Sequence, residues 1–201
     1  FASKRFEAVP EKGKLYPQQE STVRQFITLR KSGAVIYQAG VGKTCVMGAL
    51  GEYDKHNTPE CRGVFIFEKG PATIDSTKNE IMCKCVPDVY ETKAIRMARN
   101  SRSKRNNITR EIGKWYKIVT YGTVATKMAS CLTNEEVIKE FEGYDFFIDE
   151  AHNLTAGAYV NTKKEKLNIY NEILRLFMIL DPFRILFTAT PIVNFTYETP
   201  A

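Results

Sequence analysis

No uninterrupted apolar run in the 201-residue chain approaches the ~18 residues of a membrane span. The nearest, Leu174 to Phe187, is broken by Arg175, Asp181, Pro182 and Arg184, so no membrane partner is expected. The N-terminal stretch FASKRFEAVPEKGK lacks the apolar core of a secretory signal. Cysteine is sparse: the five are Cys45, Cys61, Cys83, Cys85 and Cys131. An odd number without framework spacing predicts reduced thiols in an intracellular, reducing compartment. Cys83-x-Cys85 has no second Cys/His pair facing it, which a zinc site needs. With 43% hydrophobic and 26% charged residues, the composition is that of a soluble globular protein, long enough for one well-packed domain.

Acids are nearly missing from one segment. Between Lys93 and Lys117 stand nine Lys or Arg and a single acid, Glu111, so this segment carries +8 of a net charge of +6 and the rest sums to −2. Basic character belongs to an insertion at about 93–117 and not to the whole surface. Lys93 to Arg99 has helical character, and Asn100 to Thr109 is expected to be mobile. Arg102, Lys104 and Arg105, with Trp115 and Tyr116 downstream, suit a phosphate backbone with base stacking. A solvated insertion without a partner is the plain alternative.

What is present centres on Ala34 to Leu50, AVIYQAGVGKTCVMGAL. Ala34 to Tyr37 reads as a buried strand, Gln38-Ala39-Gly40-Val41-Gly42 as a turn, and Lys43-Thr44 opens a helix over Cys45 to Leu50. Strand, Gly-rich turn, Lys-Thr and helix form a phosphate-binding loop. Glycines let backbone N–H groups approach phosphate oxygens, and the helix N-terminus adds partial positive charge. Lys43 is expected on the β- and γ-phosphates and the Thr44 hydroxyl on Mg²⁺. Tyr37 stands where the general pattern has its first Gly.

Upstream, Leu15-Tyr16-Pro17-Gln18-Gln19 precedes a helical pattern in Val23, Phe26, Ile27 and Leu29. The Gln19 amide matches the N6/N7 edge of adenine, although a solvated Gln at a helix start is equally compatible with the residue type. Downstream, Glu52 to Arg62 reads as polar and turn-like, Gly63 to Phe67 as a second strand, and Pro71 as the first turn of a helix to about Met82. Lys69 and the amides near Thr73 are placed to hold a nucleic-acid phosphate. Trp115 to Tyr121 reads as a third strand, with helices to Met128 and from Thr133.

The second chemical stretch is Tyr144 to His152, YDFFIDEAH. An apolar strand delivers Asp149 and Glu150 at its C-terminal end, beside the phosphate loop of a neighbouring parallel strand. Buried paired acids need a partner, and nucleotide-bound Mg²⁺ is one. Asp149 is expected to hold the metal and Glu150 to deprotonate the attacking water. His152 is placed to relay between the nucleotide and the rest of the molecule. Then follow a Lys-rich piece from Asn161, an amphipathic helix with Leu167, Ile169, Ile173 and Phe177, and a strand Arg184 to Phe187 ending in Thr188-Ala189-Thr190-Pro191.

In set and order these stretches resemble the first motor domain of a superfamily 2 helicase or translocase. Leu15-x-Pro17-x-Gln19 resembles the adenine-reading segment, with Gln18 in place of the usual aromatic. Gln38 to Thr44 resembles motif I, whose first Gly this superfamily often lacks, as at Tyr37. Pro71 to Ile81 resembles motif Ia of the Swi2/Snf2-like branch, and Ile118-Val119-Thr120-Tyr121 motif Ib. Asp149-Glu150-Ala151-His152 resembles motif II of the DEAH type, and Thr188 to Pro191 motif III. A narrower likeness, in Cys83 to Tyr90, the basic insertion and Val119 to Tyr121, is to helicase-type ATPases of large nucleocytoplasmic DNA viruses.

The resemblance implies an α/β fold: a P-loop NTPase with a RecA-like, mostly parallel sheet of about five or more strands and helices on both faces. It implies a basic lead-in at 1–14, a domain over 15–191 and the start of a linker at 192–201. A second RecA-like domain carries the arginine finger. ATP and Mg²⁺ are the implied ligands, and nucleic acid the partner, DNA favoured over RNA. Lys43, Asp149 and Glu150 are the implied catalytic residues. Coupling falls to His152, Thr188 and Thr190, and nucleic-acid contact to Lys69, Thr73, Thr120 and Tyr121. The narrower likeness adds RNA polymerase or other viral transcription proteins as partners, and host cytoplasm or virion as location. Two rivals are a P-loop switch ATPase that does not translocate and a catalytically dead nucleic-acid-binding module.

Overall fold

The structure is a computed structural model, and its described backbone comprises residues 15–90, 97, 101–155, 158–160 and 166–189. The expected lead-in at 1–14, Thr190, Pro191 and the linker at 192–201 lie outside the described residues. So do positions 93–96, 98 and 99 of the expected helix.

Five parallel strands form the sheet: β1 (Gly33–Ile36), β2 (Gly63–Glu68), β3 (Tyr116–Thr120), β4 (Tyr144–Ile148) and β7 (Arg184–Thr188), in the order β1-β7-β4-β2-β3. Two short strands, β5 (Ala158–Val160) and β6 (Lys166–Asn168), pair antiparallel outside it. Parallel strands are covered on both faces, so successive residues feed opposite cores. In β4, Phe147 joins one cluster with Val35, Met47, Ile66, Ile118, Ile185 and Phe187. Its neighbours Phe146 and Ile148 join the other, with Phe67, Val124, Val137, Ile173 and Leu176. Each fully buried side chain of this size contributes about 1.5–3 kcal/mol.

The helices are α1 (Pro17–Leu29), α2 (Lys43–Asn57), α3 (Pro71–Glu80), α4 (Pro87–Tyr90), α5 (Ser101–Ile112), α6 (Tyr121–Ser130), α7 (Asn134–Phe141) and α8 (Ile169–Leu180). Pro17 and Pro71 occupy first-turn positions, where the missing N–H costs nothing. Thr133 caps α7 by accepting from Glu136 N at 3.2 Å, as the Thr-x-x-Glu pattern predicts.

Several boundaries depart from expectation. Helix α2 does not end at Leu50; it runs through Glu52 and Asp54 to Asn57. Both acids are buried, and each has distant partners. Glu52 Oε1 accepts from the hydroxyls of Tyr90 and Tyr116, and Asp54 Oδ1 from Arg30 Nη1 at 2.6 Å. Of Asn100 to Thr109, expected to be mobile, the residues from Ser101 on are part of helix Ser101–Ile112, and fully buried Ile112 docks that helix in the core beside Tyr116. Leu167 belongs to β6, and the amphipathic helix starts at Ile169. Helix α3 passes into a π-turn, Ile81–Cys85. There Cys85 is disulfide-bonded to Cys45, across a Cα–Cα distance of 4.9 Å. The expectation of five reduced thiols is corrected for these two, and Cys83-x-Cys85 is not a pair of zinc ligands.

Candidate nucleotide site

At the end of β1 the backbone turns into the Gly-rich loop. Gly40 and Gly42 both take φ of +81°, the left-handed region that disfavours a Cβ. A Cβ on Gly42 would also stand 2.4 Å from Gln19 Nε2. Gln38, Ala39 and Gly40 are exposed, Val41 and Thr44 half-buried. Tyr37 has a role of its own. Its N–H donates to Thr188 O at 3.0 Å, and its hydroxyl donates to Gln18 O at 2.8 Å and lies 2.6 Å from Thr22 Oγ1. The residue replacing the first Gly thus ties the loop entrance to α1 and β7.

Gln19 departs from its expected role. It is 2% exposed. Its Nε2 donates to Val41 O at 2.8 Å and Gly42 O at 3.0 Å, and its Oε1 accepts from Tyr16 N at 2.8 Å. In this arrangement the amide holds the phosphate loop and does not present its donor to a base edge.

The acids also sit differently from expectation. Strand β7 lies between β1 and β4, so the strand carrying Asp149-Glu150 is not the direct neighbour of the loop strand. Thr188, at the end of β7, occupies the place between them. The site closes nonetheless: Lys43, 9% exposed, puts Nζ 2.9 Å from Glu150 Oε1. His152 Nδ1 is 2.9 Å from Thr188 Oγ1 and 3.4 Å from Glu150 Oε2, and Asn153 Nδ2 is 3.0 Å from His152 Nε2. Lys43, Glu150, His152 and Thr188 form one chain of contacts.

Burial pushes the Asp149 carboxyl up to about 6, and the charges of Glu68 and Glu150 add to it, while Lys43 opposes them. Among the described residues, buried Asp149 Oδ1 has no hydrogen-bond partner. Glu68, 2% exposed, is an acid that the sequence reading missed. It ends β2 and accepts from Thr77 Oγ1 of α3 at 2.5 Å. Its signal was an acid closing the apolar run GVFIF, the pattern that exposed Asp149.

These residues fit Mg²⁺. Asp149 Oδ1 is an orphaned buried acceptor, and Thr44 starts the helix at the loop. A cation or its water shell satisfies such an acceptor. The open left-handed glycines and the N-terminus of α2 fit the phosphates.

The residues assigned to nucleic acid divide. Lys69 and Thr73 are exposed at the C-terminal end of β2 and the start of α3, and Thr73 Oγ1 donates to Gly70 O at 2.7 Å. Half-buried Thr120 caps α6, accepting from Thr123 N at 3.1 Å. Tyr121 does not serve as a contact surface: it is 3% exposed, and its hydroxyl donates to the backbone carbonyl of Asp149. Arg102, Lys104 and Arg105 stand on α5, and their side chains lie outside the described residues, as does Thr190.

Solved structures of similar fold include the Sulfolobus solfataricus SWI2/SNF2 ATPase core in complex with dsDNA, at TM-score 0.54 and 17% identity over 90% of this chain and 33% of that one. The DUF1998 helicase MrfA matches at TM-score 0.55 and 19% identity, over 92% of this chain and 30% of that one. A nuclease-deletion mutant of the type ISP restriction-modification enzyme LlaGI, in complex with a DNA substrate mimic, matches at 0.50 and 13%, over 90% of this chain and 18% of that one. The chain therefore spans about a third or less of each of these proteins. No curated protein matches it. Residues 12–193 match the family described as the res subunit of type III restriction enzymes. With the parallel sheet, the phosphate loop and the acid-ended β4 in place, the chain belongs to that family and is a RecA-like motor domain of the superfamily 2 helicase type.

Proposed function

We propose that this chain is the ATP-binding half of a nucleic-acid-dependent ATPase that moves along, or remodels, DNA. The observation that carries the reading is the Lys43–Glu150 pair, at 2.9 Å, beside a buried Asp149 oxygen with no hydrogen-bond partner among the described residues. A lysine at the loop paired with an acid can exchange that acid for phosphate oxygens. When ATP arrives, Lys43 exchanges Glu150 for phosphate oxygens. The released Glu150 carboxylate then takes the proton of the attacking water. Thr44 and Asp149 are the residues that hold Mg²⁺, which neutralises phosphate charge when bound. His152 and Thr188 report the change at Glu150 to β7 through their contact.

Support for DNA comes from the two solved structures described as holding DNA or its mimic, and from the +8 charge of the insertion. The remainder of the full-length protein is expected to supply the second RecA-like domain and its arginine finger, worth ~10³–10⁵ in rate. A role in viral transcription rests on the likeness in Cys83 to Tyr90, the basic insertion and Val119 to Tyr121. The test is Glu150→Gln in the full-length protein. ATP turnover falls by about 10²–10⁴ while ATP binding is kept. Turnover near wild type would remove Glu150 from the chemistry and end this reading.

A further inference from the structure

We propose that Tyr121 is a positioning residue, whose hydroxyl fixes the peptide between Asp149 and Glu150 and ties it to the helix that Thr120 caps. The inference rests on the ATPase reading above and names a route by which the nucleic-acid side regulates that site.

The 149–150 peptide is the joint between the metal-holding and water-activating acids. Its carbonyl accepts from the Tyr121 hydroxyl. Rotation of this one peptide plane therefore swings Glu150 relative to Asp149. Glu150 also holds φ at +47°, a left-handed conformation that a residue with a Cβ adopts only when its surroundings impose it. The surroundings are visible. Asp149 N donates to Phe67 O at 3.0 Å, and Asn153 donates to Glu150 O from its backbone N at 2.9 Å and its Nδ2 at 3.0 Å. Tyr121 supplies the remaining hold, on the carbonyl between them.

The reach of Tyr121 is what makes it more than a core residue. It follows β3, an edge strand, while the acids end β4, with β2 between. The ring crosses the end of β2, packed in the cluster with Phe67, Phe146 and Ile148, and so delivers one hydroxyl to β4. Its chain neighbour Thr120 caps α6 and lies 2.9 Å, Oγ1 to Oγ1, from Thr123 at that helix start. Tyr121 is the first helical residue, so any displacement of α6 would reach the Asp149 carbonyl through its hydroxyl.

Tyr121→Phe in the full-length protein removes the hydroxyl and keeps the ring. DNA-stimulated kcat falls about tenfold, with KM for ATP and the melting temperature nearly unchanged. A second readout needs no turnover: the ratio of affinities for a non-hydrolysable ATP analogue with and without duplex DNA. Wild type gives a ratio of about 5 or more, and Tyr121→Phe brings it towards 1. Unchanged kcat and ratio in Tyr121→Phe overturn the proposal. So does a kcat loss matched by a lower melting temperature, which marks a structural role. If wild type binds the analogue with DNA coupling but turns over no ATP, the ATPase reading falls and the affinity ratio alone decides the role of Tyr121. A wild-type ratio of 1 overturns the coupling outright.

Discussion

Gly42 combines two constraints at one Cα: φ of +81° and Gln19 Nε2 at 2.4 Å from any added Cβ. Gly42→Ala is therefore expected to destabilise the domain by about 1–2 kcal/mol and to weaken binding of an ATP analogue, checked by thermal melts and titration. At the far end of α2, burial first and the nearby Asp145 second push the Asp54 carboxyl up to about 8, against the pull of Arg30. The folded state then holds a proton that the unfolded chain, titrating near pH 4, has released, so this group's stabilisation is full below ~4 and lost as pH rises to about 8. Asp54→Asn mimics the protonated form, and its melting temperature is expected to fall less steeply than wild type between those limits. The positions of Lys43 and Thr44 at a loop-to-helix turn, and of Asp149 and Glu150 at a strand end, were legible in the sequence because those patterns are local. The contacts of Gln19, Glu68 and Tyr121 were not, because they are made with groups 9 to 28 positions away, which no local pattern contains.

At the scale of elements, the continuous apolar runs of β2 and β4 were readable, since burial on two faces leaves little choice of residue. The length of α2 was not: Glu52 and Asp54 look like loop residues until Tyr90, Tyr116 and Arg30 are brought against them. Helix α5 was hidden by its own charge. Its anchor is Ile112, and Ile112→Ala is expected to cost about 2–4 kcal/mol, read from denaturant unfolding. A loss below about 0.5 kcal/mol would mean that the helix is not docked. The Cys45–Cys85 bond closes a separation of 40 residues and fastens the π-turn to the first turn of α2. In the chain-entropy account, such a loop is worth about 3–4 kcal/mol. A dithiol reductant is therefore expected to lower the melting temperature of wild type, and to leave that of Cys45→Ser unmoved.

Across the whole molecule, the sheet separates two ends. The carboxyl ends of β1, β7, β4 and β2 gather the phosphate loop, Thr188, the two motif acids and Glu68. The opposite end is held by Arg30, with Asp54 and, at 2.8 Å, Asp145. Strand β7 stands between the loop strand and the acid strand, so Thr188 touches both sides through Tyr37 and His152. The central claim is that this arrangement burns ATP in response to nucleic acid. It is tested most directly by steady-state ATPase activity of the full-length protein, alone and then with single-stranded DNA, duplex DNA or RNA. The account predicts at least a tenfold rise with DNA, about 1.4 kcal/mol of barrier, and its loss in Glu150→Gln. A rate indifferent to every nucleic acid, yet still abolished by Glu150→Gln, would contradict the motor and leave a switch ATPase in its place.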